Sequence, residues 1–324
     1  MPANLPPQYF EAEKNFREAK NPAEKIVALE EMLAIMPKHK GTDHLRAELR
    51  SRIAKLTQQA GKKSGAQRAS MIIDKEGAAQ VAVIGLPNAG KSQLIASLTK
   101  ASPAVADYPF TTYTASPGMM EFENIKIQLL DTPPLAPQSI EWWLPPMLRR
   151  ADALLVMVDL NDTPVDRMEE MIAQLWNMRI KIMEKEVEEE VILSRQKALV
   201  AANKIDIDGA QANYSALQAK YGAELPLLAI SARDGIGLEE LRLKTYQVLE
   251  IIRVYTKAPG QKPDFSDPII LGMGSTLADA AEAVHKDFRA SLKYARVWGS
   301  GKHDGIMVKR DQVLQDGDVI ELHL

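Results

Sequence analysis

The chain has no cysteine, which excludes disulfide frameworks, thiolate metal sites and cysteine nucleophiles at once. Its formal net charge is only −3 over 324 residues, so no global field draws it to nucleic acid or membrane. The longest apolar runs, such as Ala153 to Val158, fall far short of the ~20 residues a membrane span requires. The start, Met1-Pro2-Ala3-Asn4-Leu5-Pro6-Pro7, lacks the basic and apolar regions of a signal peptide. The five histidines, His39, His44, His285, His303 and His323, are scattered without ligand spacing and read as surface or packing residues. No internal repeat or low-complexity tract is present. These absences predict a soluble protein of a reducing, cytoplasmic setting, long enough for two or three domains.

What the chain does contain is concentrated in a few strings. Val81 to Gly85 reads as a buried strand, and it runs into Gly85-Leu86-Pro87-Asn88-Ala89-Gly90-Lys91-Ser92, followed at once by the helical run Gln93 to Leu98. Strand, glycine loop and helix in that order are the context of a phosphate-binding P-loop. Glycines let the backbone wrap a polyphosphate, and successive N–H groups with the helix N-terminus supply positive potential. Lys91 is placed to reach the β- and γ-phosphates, and the Ser92 hydroxyl to bind Mg²⁺. The loop positions Asn88, Ala89, Gly90 and Gln93 complete this phosphate end.

Asn203-Lys204-Ile205-Asp206 follows the apolar run Ala198 to Ala202, and Ser231-Ala232-Arg233 follows Leu227 to Ile230. A carboxylate at Asp206 can accept from N1–H and the exocyclic amine of guanine, donors that adenine does not offer together. Asp131 closes the strand Ile125 to Leu130, where a carboxylate holds Mg²⁺ through water. The nucleotide predicted is GTP. An ATP-using relative of similar fold is disfavoured by Asp206.

Residues 1–66 read as a partly basic helical leader. Asn21-Pro22-Ala23-Glu24 is a helix start, Ile26, Leu29, Leu33 and Met36 mark one apolar face, and Pro37 ends it. A second helix carries Leu45, Leu49, Ile53 and Leu56, with a basic face around Arg46, Arg50, Arg52, Lys55, Lys62 and Lys63. From Lys38 to Arg68 nine Lys/Arg stand against two acids. That face is either a solvated surface or a footprint for phosphate-rich partners. Gly61 to Gln67 reads as a linker.

Residues 67–256 alternate apolar strands with helices, the pattern of a mostly parallel, doubly wound α/β sheet. Residues 178–196 form a charged excursion, and 257–264 a second linker. Residues 265–324 suggest a small α+β unit. Its strands are Pro268 to Leu271, Tyr294 to Trp298 and Val319 to Leu322, with a capping box at Thr276-Leu277-Ala278-Asp279 opening a helix to about Phe288.

The P-loop string, Tyr108-Pro109-Phe110-Thr111-Thr112 and Asn203-Lys204-Ile205-Asp206 resemble the Obg superfamily of GTPases, and within it the developmentally regulated GTP-binding (DRG-like) proteins. His285-Lys286-Asp287-Phe288, Ala295-Arg296-Val297-Trp298-Gly299 and Asp316-Gly317-Asp318-Val319 resemble the β-grasp TGS domain that this family carries after its GTPase core. The resemblance spans roughly residues 70–324 and implies a Mg²⁺-dependent GTPase of low intrinsic activity at or near the ribosome. It gives Thr112, with Thr111 as the alternative, the role of Mg²⁺ ligand in the GTP state. Lys204 would pack over the guanine ring, and the Ala232 N–H would meet the base oxygen. Asn88 matches a position that in potassium-activated relatives helps hold K⁺, the alternative being an ordinary turn-former.

The chain departs from the family at Asp-x-x-Gly, which here is Asp131-Thr132-Pro133-Pro134. The glycine normally donates its N–H to the γ-phosphate, and proline has none. A bond of that type is worth about 1.5–3 kcal/mol. Leu135 occupies the place of the water-orienting glutamine of many GTPases. A GTP/GDP-sensing scaffold with negligible hydrolysis therefore stands beside the slow GTPase switch. The pair Trp142-Trp143 is either a partner-facing patch or a core contact. The 265–324 unit, with seven Lys/Arg and nine Asp/Glu, suits recognition of shape or a protein better than a cationic clamp.

Overall fold

A computed structural model describes residues 6–19, 22–36, 42–63, 73–99, 116–136, 143–161, 163–183, 194–299 and 304–323. Three helices come first, α1 (Pro7–Glu18), α2 (Pro22–Ile35) and α3 (Asp43–Lys63). They close a small core of Tyr9, Ala12, Leu29, Met32, Met36 and Leu49. Pro22 opens α2 at its first position, while Asn21 and Pro37 lie outside the described residues. The linker expected from Gly61 begins later, because α3 continues to Lys63. A single glycine costs a helix only about 1 kcal/mol, and its neighbours are good helix formers.

The central sheet runs β2 (Ser116–Phe122), β3 (Ile125–Asp131), β1 (Ala79–Gly85), β4 (Ala153–Asp159), β7 (Ala198–Asn203) and β8 (Leu227–Ile230). All neighbours are parallel except β2, which pairs antiparallel with β3 at the edge. Side-chain alternation divides β1 between two cores. Ala82 and Ile84 join α5 (Leu144–Arg150), α6 (Pro164–Asn177) and α7 (Ala210–Tyr221) on one face. Val81 and Val83 join α4 (Lys91–Leu98) and α8 (Leu238–Leu249) on the other. Burial on both faces is why these strands are continuous apolar runs. Trp143 belongs to the first of these cores, while Trp142 lies outside the described residues. The charged excursion contributes a two-stranded parallel ribbon, β5 (Ile180–Lys181) with β6 (Ser194–Arg195).

A second sheet has the order β10 (Ile269–Gly272), β9 (Ile251–Thr256), β13 (Val319–His323), β11 (Tyr294–Trp298) and β12 (Ile306–Val308). Strand β9, assigned above to the nucleotide-binding unit, hydrogen-bonds instead to β10 and β13. Its Ile252 and Val254 complete the core under α9 (Leu277–Val284). The capping box forms as expected, with Thr276 N–H donating to Asp279 at 2.8 Å. The helix stops at Val284 rather than near Phe288, because His285 turns to extended backbone. Its Nδ1 then accepts from the Asp287 N–H at 3.3 Å, and the one-turn α10 (Phe288–Ser291) follows.

Candidate nucleotide-binding site

In a parallel sheet the crevice beyond the carboxyl ends of the strands is where ligands bind. Here β1, β3, β7 and β8 deliver their terminal residues to that edge. Past β1 the loop turns through Asn88 at φ +64° and Gly90 at φ +92° before α4 begins. A Cβ on Gly90 would lie 2.4 Å from the Asn203 amide nitrogen, so only glycine fits there. Lys91 is largely buried, with its ammonium on the carbonyls of Gly85 at 3.0 Å and Leu86 at 3.3 Å. Burial lowers its pKa, partly countered by Asp131.

Ser92 donates to Asp131 at 2.6 Å, and the second Asp131 oxygen is buried without a partner. Burial raises the Asp131 pKa against the pull of Ser92 and Lys91. A hydroxyl beside a half-satisfied buried carboxylate is a donor set suited to a hydrated Mg²⁺ on a polyphosphate. Asn88, Gln93, Pro133 and Pro134 help line a cavity of about 440 Å³ around these groups.

The proline segment is bound to the P-loop. Thr132 donates its hydroxyl to Val83 O at 2.7 Å, and the Leu135 N–H donates to Gly85 O at 3.1 Å. The Leu135 side chain is fully buried in the core with Leu86 and Trp143. The first N–H after the two prolines is thus committed to protein backbone, and the side chain in the glutamine position points away from solvent.

At the other end of the crevice Asn203 ties two loops together. Its amide donates to Ala89 O at 2.9 Å and its oxygen accepts from the Ala232 N–H at 2.9 Å. Ser97 of α4 adds a bond to Ala232 O at 2.8 Å. Asp206 is almost wholly buried, with Oδ1 unpartnered and Oδ2 accepting from Arg233 at 2.7 Å. Ser231 is buried beneath and receives the Asp234 N–H at 3.0 Å.

Sequence reasoning missed one participant. Asp159, at the end of β4, holds the Lys204 ammonium at 2.5 Å and the Asn161 N–H at 2.9 Å. Lys204 itself sits at φ +71°. The available signal was position alone, since β4 ends beside β7 in register with Asn203. Thr111 and Thr112 lie outside the described residues.

This fold and crevice define a P-loop GTPase of the α/β class. Residues 80–204 match the family described as 50S ribosome-binding GTPase, and residues 252–324 match the TGS domain. A GTP-binding protein of Methanocaldococcus jannaschii is 31% identical over 92% of both chains. The developmentally-regulated GTP-binding protein 2 homolog of Dictyostelium discoideum is 28% identical over 92% of this chain and 98% of its own. The Schizosaccharomyces pombe YchF GTPase structure, 12% identical, superposes with a TM-score of 0.53 over 77% of this chain and 99% of that one. The chain belongs to the DRG-like family of GTP-binding proteins. Among the described residues no helix is long and apolar enough to cross a membrane.

Proposed function

We propose that the protein is a Mg²⁺-dependent GTPase of slow turnover that works as a regulatory switch on ribosomes or RNA. The observation that carries the nucleotide assignment is the pair of half-satisfied buried carboxylates at or just past the carboxyl ends of two strands of one sheet. Asp131 beside Ser92 serves the metal, and Asp206 serves the base. Asn88, Ala89, Gly90, Lys91, Ser92 and Gln93 would cradle the phosphates. Asn203, Lys204, Asp206, Ser231, Ala232 and Arg233 would surround guanine. When bound, Mg²⁺ would neutralise phosphate charge, with Ser92, Thr112 and Asp131 holding its shell. Asn88 has the left-handed turn conformation that asparagine favours without any ion, so K⁺ activation needs its own measurement.

The second reading, a GTP/GDP sensor with negligible hydrolysis, is favoured by Pro133, Pro134 and the inward-facing Leu135. Phosphate release from GTP in K⁺ and in Na⁺, with and without ribosomes, separates the two. Turnover stimulated by ribosomes or K⁺ supports the switch, and none in any arm supports the sensor. Asp206→Asn is expected to move preference from guanine to xanthine nucleotides. ATP competing as well as GTP against wild type would defeat the base assignment.

The partner reading rests on α3, but its basic face is smaller than the sequence suggested. Arg46 donates to the Leu33 and Met36 carbonyls at 3.3 and 2.8 Å, closing the end of α2. Arg52 pairs with Glu48 at 2.6 Å. Arg50 and Lys55 remain exposed, and the side chains of Lys62 and Lys63 lie outside the described residues. Deleting residues 1–66 is expected to reduce ribosome co-sedimentation in a salt-sensitive way. Unchanged co-sedimentation would move the contact to the TGS unit, for which a protein or a shaped surface is the proposed partner.

A further inference from the structure

Guanine recognition requires both oxygens of Asp206, because N1–H and the exocyclic amine present two donors side by side. In the structure Oδ1 is buried without a partner, and the Arg233 guanidinium holds Oδ2 at 2.7 Å. Arg233 follows Ala232, whose N–H the resemblance gives to the base but which here donates to Asn203 Oδ1 at 2.9 Å, and its side chain is 71% exposed while that of Asp206 is 8% exposed. A guanidinium reaching down from solvent takes one of the two carboxylate oxygens that the guanine reading of Asp206 assigns to the base. It fills the donor's role there without being part of the nucleotide.

A second carboxylate makes this contact exchangeable. Asp234 accepts from Arg233 Nε at 2.9 Å and from its terminal nitrogen at 3.1 Å. Asp234 is itself anchored through its N–H to Ser231 Oγ at 3.0 Å. If Arg233 leaves Asp206, it keeps a forked pairing with Asp234 and no charge is stranded. If the base leaves, Arg233 returns and the buried Asp206 carboxylate is not left bare, a state that is strongly disfavoured.

We propose that Arg233 is a displaceable plug of the guanine site, releasing Asp206 while keeping Asp234 when nucleotide enters. The plug rests on the guanine reading of Asp206 and assigns Arg233 a role in competition with the base. It makes Arg233 a specificity-determining residue, since only a ligand with paired donors for Asp206 gains by displacing it.

The two acidic partners give tests of opposite sign, read by fluorescent GDP binding to the full chain at low salt. Arg233→Ala removes the competitor, so GDP is expected to bind roughly three- to fivefold more tightly, the range of an exposed ion pair, with faster association. Asp234→Ala removes the alternative seat, so Arg233 stays on Asp206 and GDP is expected to bind more weakly. Adding Arg233→Ala to Asp234→Ala should then restore tight binding. Weaker or unchanged GDP binding in Arg233→Ala, or tighter binding in Asp234→Ala, overturns the plug. Asp206→Asn in the same assay keeps the two readings apart: an unaltered guanine preference there overturns the base site itself, whereas a shift to xanthine with no Arg233 effect overturns the plug alone.

Discussion

Arg253 and Arg149 each join the nucleotide-binding unit to a neighbour, and their surroundings are unlike. Arg253, on β9, donates through its backbone N–H, Nε and a terminal nitrogen to Asp316 at 2.7, 3.0 and 2.7 Å. It also bonds Glu123 and, at 3.2 Å, Asn124 in the β2–β3 turn. Asn124 in turn reaches the Tyr255 hydroxyl at 2.7 Å and Phe265 O at 2.9 Å. Tyr246 of α8 donates to Asp316 at 2.7 Å and stacks on Phe122 with ring centroids 4.8 Å apart. Every polar group of this clasp has a partner across the boundary.

Arg149 of α5 pairs with Glu31 of α2 and donates to Met178 O at 3.2 Å, but its Nε is buried without a partner. Cavities of about 520 and 450 Å³ flank the pair, both bordered by Glu31, Ala34, Ile35 and Arg149. A further ion pair across this boundary, Arg179 with Glu11 at 3.0 Å, has both side chains nearly half exposed. The TGS side is knit by a saturated network, while the helical side is held by an ion pair in an unfilled seam. Close-packed, satisfied contacts resist motion, and voids with unpaired groups permit it.

The contrast can be attacked from its strongest point downward. Arg253→Ala leaves Asp316 only the residue 253 N–H and the Tyr246 hydroxyl, and should lower stability of the TGS unit by about 2 kcal/mol, seen as an earlier denaturant transition. Acid should act on the same clasp. Burial alone would raise the Asp316 carboxyl, but Arg253 and Tyr246 outweigh it and hold it below the usual carboxylate range. A depressed native pKa means this stabilisation is present above the unfolded value near 4 and is lost as pH falls through the native one. Wild type should therefore show an acid-dependent loosening of this junction that Arg253→Ala lacks, measured by hydrogen exchange in Tyr246 and β9.

Glu31→Gln should cost only about 1 kcal/mol, because water entering the cavities can solvate the released guanidinium. Equal losses for Glu31→Gln and Arg253→Ala would abolish the distinction. Ala34→Leu, which adds apolar volume at the border of both cavities, should be neutral or stabilising by less than about 1 kcal/mol. Destabilisation in a melting experiment would mean the seam is already filled when the protein is in solution.

The central strands were legible because β1, β4 and β7 are apolar on both faces, and the crevice because its motifs sit at strand ends in a fixed order. Strand β2 was not, since Pro117 and Gly118 are poor strand formers that an antiparallel edge tolerates. Residues 251–256 were counted with the nucleotide-binding unit, because Ile251 to Thr256 carry no mark of which sheet edge they will meet. Asp316 reads as a turn residue, and its partner lies 63 residues earlier. Arg46 reads as surface charge until the end of α2 is there to receive it. Each miss is a tertiary pairing that local pattern does not encode.

The position of β13 also orders events in time. This strand is the sole bridge between β9–β10 and β11–β12 among the described residues, pairing parallel with β9 through Val319 and Ile320. Chains emerge from the N-terminus, and earlier domains fold first. The six strands of the nucleotide sheet are complete by Ile230 and α8 by Leu249. The second sheet cannot close until His323 has been made. During that interval β9 keeps one unpaired edge, a template for wrong pairing. A nascent chain can therefore hold a finished nucleotide crevice next to a half-built β-grasp, and loss of β13 would split the second sheet in two beside an intact crevice.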